Sequence, residues 1–91
     1  PYGIMRLLEH YEIPLAGRHA VILGRSLIVG KPMMLELCQA GATVTILHSQ
    51  SQHVASIIHE ADIIISATGV QDVIPAQAIK QDAIVIDVGM H

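Results

Sequence analysis

Val21-Ile22-Leu23-Gly24-Arg25-Ser26-Leu27-Ile28-Val29-Gly30-Lys31-Pro32 reads as an apolar strand that runs through a Gly/Ser turn into the start of a helix. That order is the form of a nucleotide-phosphate cradle. At Gly24 and Gly30 the missing side chain lets the backbone turn sharply and lets a pyrophosphate come close, while the first N–H groups of the helix point at the anion. Pro32 is expected close to the first helical turn, where a missing N–H costs nothing. The spacing departs from G-x-G-x-x-G: Ser26 stands at the second glycine, Val29 at the third, and Gly30 comes one later. On spacing alone, an ordinary strand-to-helix loop with two glycines fits the string as well.

Outward from this stretch, apolar periodicity gives the remaining elements. Ile4, Leu7, Leu8 and Tyr11 form one stripe of a helix expected over residues 2–12, broken by Pro14 and Gly17. Residues 19–23 are the first strand. A helix is expected over residues 29–40, with Met33, Met34, Leu37 and Cys38 inward and Gly41 as its C′ residue. Residues 43–47 are a β-branched strand; Val54, Ile57, Ile58 and Ala61 show helical spacing; residues 62–66 are a third strand. A short helix over residues 76–80 then leads to a last strand over residues 83–87. The order α-β-α-β-α-β-α-β, with strands too apolar to have a wet face, predicts an α/β fold: a Rossmann-type doubly wound parallel sheet of about four strands with helices on both faces.

With 91 residues, 52% of them apolar, the chain is expected to form one domain, 1–91, burying roughly 60–65% of its unfolded surface. It begins at Pro1 and stops at His91 just after an apolar strand, as a piece of a longer chain does. Five Lys/Arg and a net charge of −3 argue against a nucleic-acid surface. No run approaches the roughly 18 apolar residues of a membrane span. The single cysteine, Cys38, suits a reducing, cytoplasmic setting and is expected in the core. The six histidines show no metal-ligand spacing, so no metal site is expected; His10, His19, His53 and His59 read as solvated surface residues.

Cofactor choice is read at the end of the second strand. NAD domains carry an acid there for the ribose 2′-hydroxyl. Here the strand ends Leu47-His48-Ser49-Gln50-Ser51, with no carboxylate, and Arg25 in the first loop offers a planar fork to a 2′-phosphate; the chain reads as preferring NADP. His48 is a candidate cofactor neighbour. Ser66-Ala67-Thr68-Gly69 and Asp87-Val88-Gly89-Met90 follow the third and fourth strands, on the edge where open α/β sheets bind ligands, which adds Thr68, Gly69, Gly89 and Met90. No nucleophile–base pair or carboxylate dyad accompanies them, so no catalytic residue is assigned.

Residues 24–32, then Gly41-Ala42-Thr43-Val44-Thr45 with His48-Ser49, then Ile84-Val85-Ile86-Asp87-Val88-Gly89, closely resemble the cofactor domain of the bifunctional methylenetetrahydrofolate dehydrogenase/cyclohydrolase family. Pro1-Tyr2-Gly3-Ile4 is similar to the tail of that family's Pro-Cys-Thr-Pro-x-Gly segment. The resemblance implies Gly24, Arg25 and Ser26 as the pyrophosphate and 2′-phosphate loop, Ser49 as a second 2′-phosphate contact, and position 90 as a main-chain contact. Met90 and His91 depart from the family's isoleucine and asparagine. It further implies that the catalytic tyrosine, lysine, glutamine and aspartate lie in an upstream folate-binding domain, and that neither Lys31 nor Lys80 replaces them. The implied parent is a homodimeric enzyme of one-carbon metabolism. It oxidises 5,10-methylenetetrahydrofolate with NADP and hydrolyses the methenyl product to 10-formyltetrahydrofolate. The alternatives are a non-catalytic nucleotide-sensing Rossmann domain and the cofactor domain of a shikimate- or amino-acid-dehydrogenase relative.

Overall fold

The computed structural model describes residues 2–24, 27–48, 50–66 and 76–87. Helix α1 (Tyr2–His10) is followed by β1 (His19–Leu23), α2 (Leu27–Gln39), β2 (Thr43–Leu47), α3 (Val54–Glu60), β3 (Ile63–Ser66), a 3₁₀ turn (Ala76–Ala78) and β4 (Ile84–Asp87). The four strands form one sheet in the order β2-β1-β3-β4, every pair parallel. From β1 the chain steps to one side through α2, then returns past β1 to the other side through α3. Right-handed crossovers in opposite directions put their helices on opposite faces. The packing agrees: Ala20, Ile22, Ile63 and Ile65 meet Ile4 and Leu8 of α1 and Met33 and Leu37 of α2. Val21, Leu23 and Ile64 meet Ile58 of α3. Alternate residues of each strand thus serve the two faces, and each fully buried Ile or Leu contributes about 1.5–3 kcal/mol.

Five expectations need correction. Only β1 and β3, the central strands, are buried throughout or nearly so; β2 and β4 lie at the edges and leave Thr43, Val85 and Asp87 exposed. An edge strand has one neighbour, so its apolar composition does not secure a cover on both faces. Helix α1 stops at His10, not residue 12, and its stripe is narrower than its apolar content: Ile4 and Leu8 are buried, whereas Leu7 and Tyr11 are exposed. In α2, Met33 and Leu37 face inward, but Cys38 is exposed. It follows Leu37 by about 100° around the helix, which takes it off the narrow contact line. The helix also begins two residues earlier than expected, so Pro32 sits inside it and removes the N–H that the Ile28 carbonyl would otherwise receive. The expected helix over residues 76–80 is a single 3₁₀ turn.

Both longer helices end in the same device. After α2, Gly41 N–H donates to the Cys38 carbonyl (3.0 Å) and Ala42 N–H to the Leu37 carbonyl (3.0 Å), with Gly41 at φ +92°. After α1, Glu12 N–H donates to Glu9 (3.0 Å) and Ile13 N–H to Leu8 (3.0 Å), with Glu12 at φ +55°. These are Schellman closures, one built on glycine as the sequence predicts and one on glutamate.

Candidate functional site

Because every strand runs the same way, the ends of β1, β2, β3 and β4 reach one edge of the sheet. The register aligns Leu23 with Leu47 and Ser66, and Ser66 with Asp87. Strand order reverses between β1 and β3, the switch point where open α/β sheets hold ligands. Gly24 leaves β1 there, and its N–H donates to the Leu47 carbonyl (3.2 Å), extending the β1–β2 ladder by one residue. Three residues separate β1 from α2, so the amino end of this 13-residue helix opens at the same crevice, with Gly30 in its first turn and no acidic residue there to occupy the position of an anion.

The end of β2 is built by side chains. His48 N–H donates to Ser51 Oγ (2.9 Å), Ser51 N–H returns to the His48 carbonyl (3.0 Å), and Gln50 N–H donates to His48 Nδ1 (3.2 Å). The imidazole is exposed. Of the sequence-derived candidates, the structure brings Gly24, Gly30 and His48 to this edge. Arg25, Ser26, Ser49, Thr68, Gly69, Gly89 and Met90 lie outside the described residues. Two polar residues of the edge carry no role in the sequence reading. Ser51 caps the turn after β2, a role signalled by serine three residues after His48. Ser66 is the one hydroxyl ending Ile63-Ile64-Ile65, and it is fully buried.

The opposite edge is a clamp. The Asp62 main chain donates to the His19 carbonyl (2.9 Å) and accepts from Ile84 N–H (2.9 Å); its Oδ2 accepts from His19 N–H (2.9 Å), and its Oδ1 pairs with Lys80. The His19 N–H first, then the Lys80 ammonium, hold the Asp62 carboxyl below its ordinary range, against a smaller opposing effect of burial. A cleft of about 490 Å³ lined by Ile13, Pro14, Arg18, Asp62, Lys80 and Asp82 opens beside it, on the far side of the sheet from the crevice. His19, expected as a solvated residue, is half-buried, with Nε2 2.8 Å from Thr45 Oγ1 on the neighbouring strand. Among the described residues no group of three or more His, Cys, Asp or Glu is placed to hold a metal ion.

The sequence profile of the tetrahydrofolate dehydrogenase/cyclohydrolase NAD(P)-binding domain family matches residues 1–91. The chain belongs to this family. It is 53% identical over all 91 residues to the bifunctional protein FolD of Paraburkholderia phytofirmans, of which it covers 32%. Among solved structures, the bifunctional FolD methylenetetrahydrofolate dehydrogenase/cyclohydrolase of Campylobacter jejuni superposes on all of the chain with a TM-score of 0.91 at 43% identity, and the chain covers 32% of it. The Trypanosoma brucei enzyme, solved with an NADP cofactor and an inhibitor, matches 94% of the chain with a TM-score of 0.84 at 38% identity, over 30% of its own length. The chain therefore spans about a third of the length of these relatives.

Proposed function

We propose that residues 1–91 form the NADP-binding domain of a bifunctional enzyme that oxidises 5,10-methylenetetrahydrofolate to the methenyl form and hydrolyses that to 10-formyltetrahydrofolate. The observation that carries the reading is the switch-point edge: the acid-free opening of α2 meets Gly24 beside a β2 terminus that holds His48 and no carboxylate. NADP fits these residues, because helix N–H donors suit a pyrophosphate and a terminus without a carboxylate does not repel a 2′-phosphate. The cofactor, when bound, supplies a nicotinamide ring that accepts hydride.

In this reading Gly24, Arg25, Ser26 and Gly30 hold the phosphates, Ser49 and His48 flank the 2′-phosphate, and Thr68, Gly69, Gly89 and Met90 give main-chain room to the nicotinamide half. None of these residues is an acid–base catalyst. The tetrahydrofolate substrate is bound, and its proton transfers are handled, in the part of the relatives that this chain does not cover. The two domains must then hold the reacting carbons at near-attack distance. The NADP-bound relative and the family match over every residue support the reading. The free, exposed Cys38 supports a reducing cytoplasmic setting, and β2 and β4, each with one neighbouring strand among the described residues, offer edges through which a homodimer can form.

The test is Arg25→Ala. Its NADP affinity should fall by about 1.5–3 kcal/mol, the scale of a hydrogen bond to a charged group, with little change for NAD. Calorimetric titration of both nucleotides decides it, since equal losses for the two contradict a 2′-phosphate role.

A further inference from the structure

The imidazole of His48 is exposed, yet its orientation is set by the backbone. Gln50 N–H donates to Nδ1 (3.2 Å), and an atom that accepts a hydrogen bond carries a lone pair there. A neutral imidazole with Nδ1 engaged in this way keeps its proton on Nε2. The turn that delivers Gln50 to the ring is closed from both ends by Ser51, whose Oγ accepts from His48 N–H (2.9 Å) and whose N–H donates to the His48 carbonyl (3.0 Å). Leu47, the residue before His48, accepts the Gly24 N–H, so the turn is anchored directly to the loop that opens α2. Among the described residues Nε2 of His48 has no partner.

We propose that this turn is a tautomer-setting device that presents His48 Nε2–H as a donor to the 2′-phosphate at the adenosine end of the cofactor, with Ser51 as its positioning residue. The inference rests on the NADP reading above and deepens it. A 2′-phosphate offers only acceptor oxygens, and the Nδ1–H tautomer would aim a lone pair at them. Fixing the tautomer before binding removes the unproductive fraction of the population and, with it, the rotation of an exposed side chain.

The test uses the longest natural chain that carries these residues, titrated with adenosine 2′,5′-bisphosphate and with 5′-AMP. His48→Asn keeps an acceptor at the place of Nδ1 but nothing at Nε2, and should bind the bisphosphate about tenfold more weakly with 5′-AMP unchanged. His48→Gln, whose amide reaches the place of Nε2, should recover most of that loss. Nitrogen NMR of the imidazole should show Nδ1 unprotonated in the free protein, and Ser51→Ala should mix the two tautomers while weakening the bisphosphate severalfold. Equal losses for both nucleotides, no loss in His48→Asn, or a protonated Nδ1 in the neutral ring each overturn the proposal while leaving the NADP reading intact. If the unmodified protein binds neither probe, the NADP reading falls and this inference falls with it.

Discussion

At the residue scale, the hydrogen bonds of Asp62 show how much one side chain can organise. Four polar contacts tie it to β1, to β4 and to Lys80 at the amino-terminal edge of the sheet. Its carboxyl is held below the ordinary value of 3.8 in the folded chain, so its stabilising contribution is complete above that value and is lost as pH falls through the lower folded one. Asp62→Ala should cost about 1–3 kcal/mol at neutral pH, the scale of losing hydrogen bonds to a charged group. Urea denaturation of parent and variant across acid pH checks it: the gap between them should shrink below 3.8, and a gap that stays constant into strong acid removes the linkage. This clamp was not legible in the sequence, where Asp62 reads as the first residue of a strand. His19 illustrates the same limit, because its partner Thr45 is 26 residues away and only the β1–β2 register joins them. Cys38 is the converse case: helical spacing placed it on the inner face with Leu37, whereas one step around α2 from Leu37 leads to solvent.

At the scale of elements, the paired closures of α1 and α2 form a natural experiment. Gly41 adopts φ +92° freely, and a Cβ there would lie 3.2 Å from Ala16 Cα, main-chain atoms that cannot swing aside. Glu12 takes φ +55° against the steric preference of its side chain and places a negative charge at a helix C-terminus. Gly41→Ala should therefore destabilise by about 1–3 kcal/mol, and Glu12→Gly should stabilise by about 0.5–1 kcal/mol after the greater chain entropy of glycine is set against the relieved strain. Thermal unfolding of the two variants measures both, and the same sign for both excludes this account of the caps. Strand and helix positions were legible within a few residues because a period of two or of 3.6 survives in the sequence. The start of α2 was missed because proline was taken to mark the first turn, and the helix accommodates Pro32 one turn further in.

For the whole molecule, topology was the most legible property. Alternating helices and strands with β-branched central runs allow few arrangements once crossovers must be right-handed, and the sheet order β2-β1-β3-β4 is one of them. The crevice at the β1/β3 switch point follows from that order, whereas the roles of individual residues along it do not. Gly24, Gly30 and His48 fall on the edge by connectivity alone, but Ser51 acquires its role only when the turn after β2 closes. Under the proposed function this domain holds the cofactor and supplies no acid, base or nucleophile of its own. The most direct measurement is made on the purified 91-residue chain, its helix and sheet content verified by circular dichroism. The chain is titrated calorimetrically with NADP⁺ and NAD⁺ and then supplied with 5,10-methylenetetrahydrofolate. The chain should bind NADP⁺ more tightly than NAD⁺ and form no NADPH, because the second reactant has no site to hold it beside the first. Absence of NADP⁺ binding by the folded chain, or sustained NADPH formation without any further domain, would contradict the account.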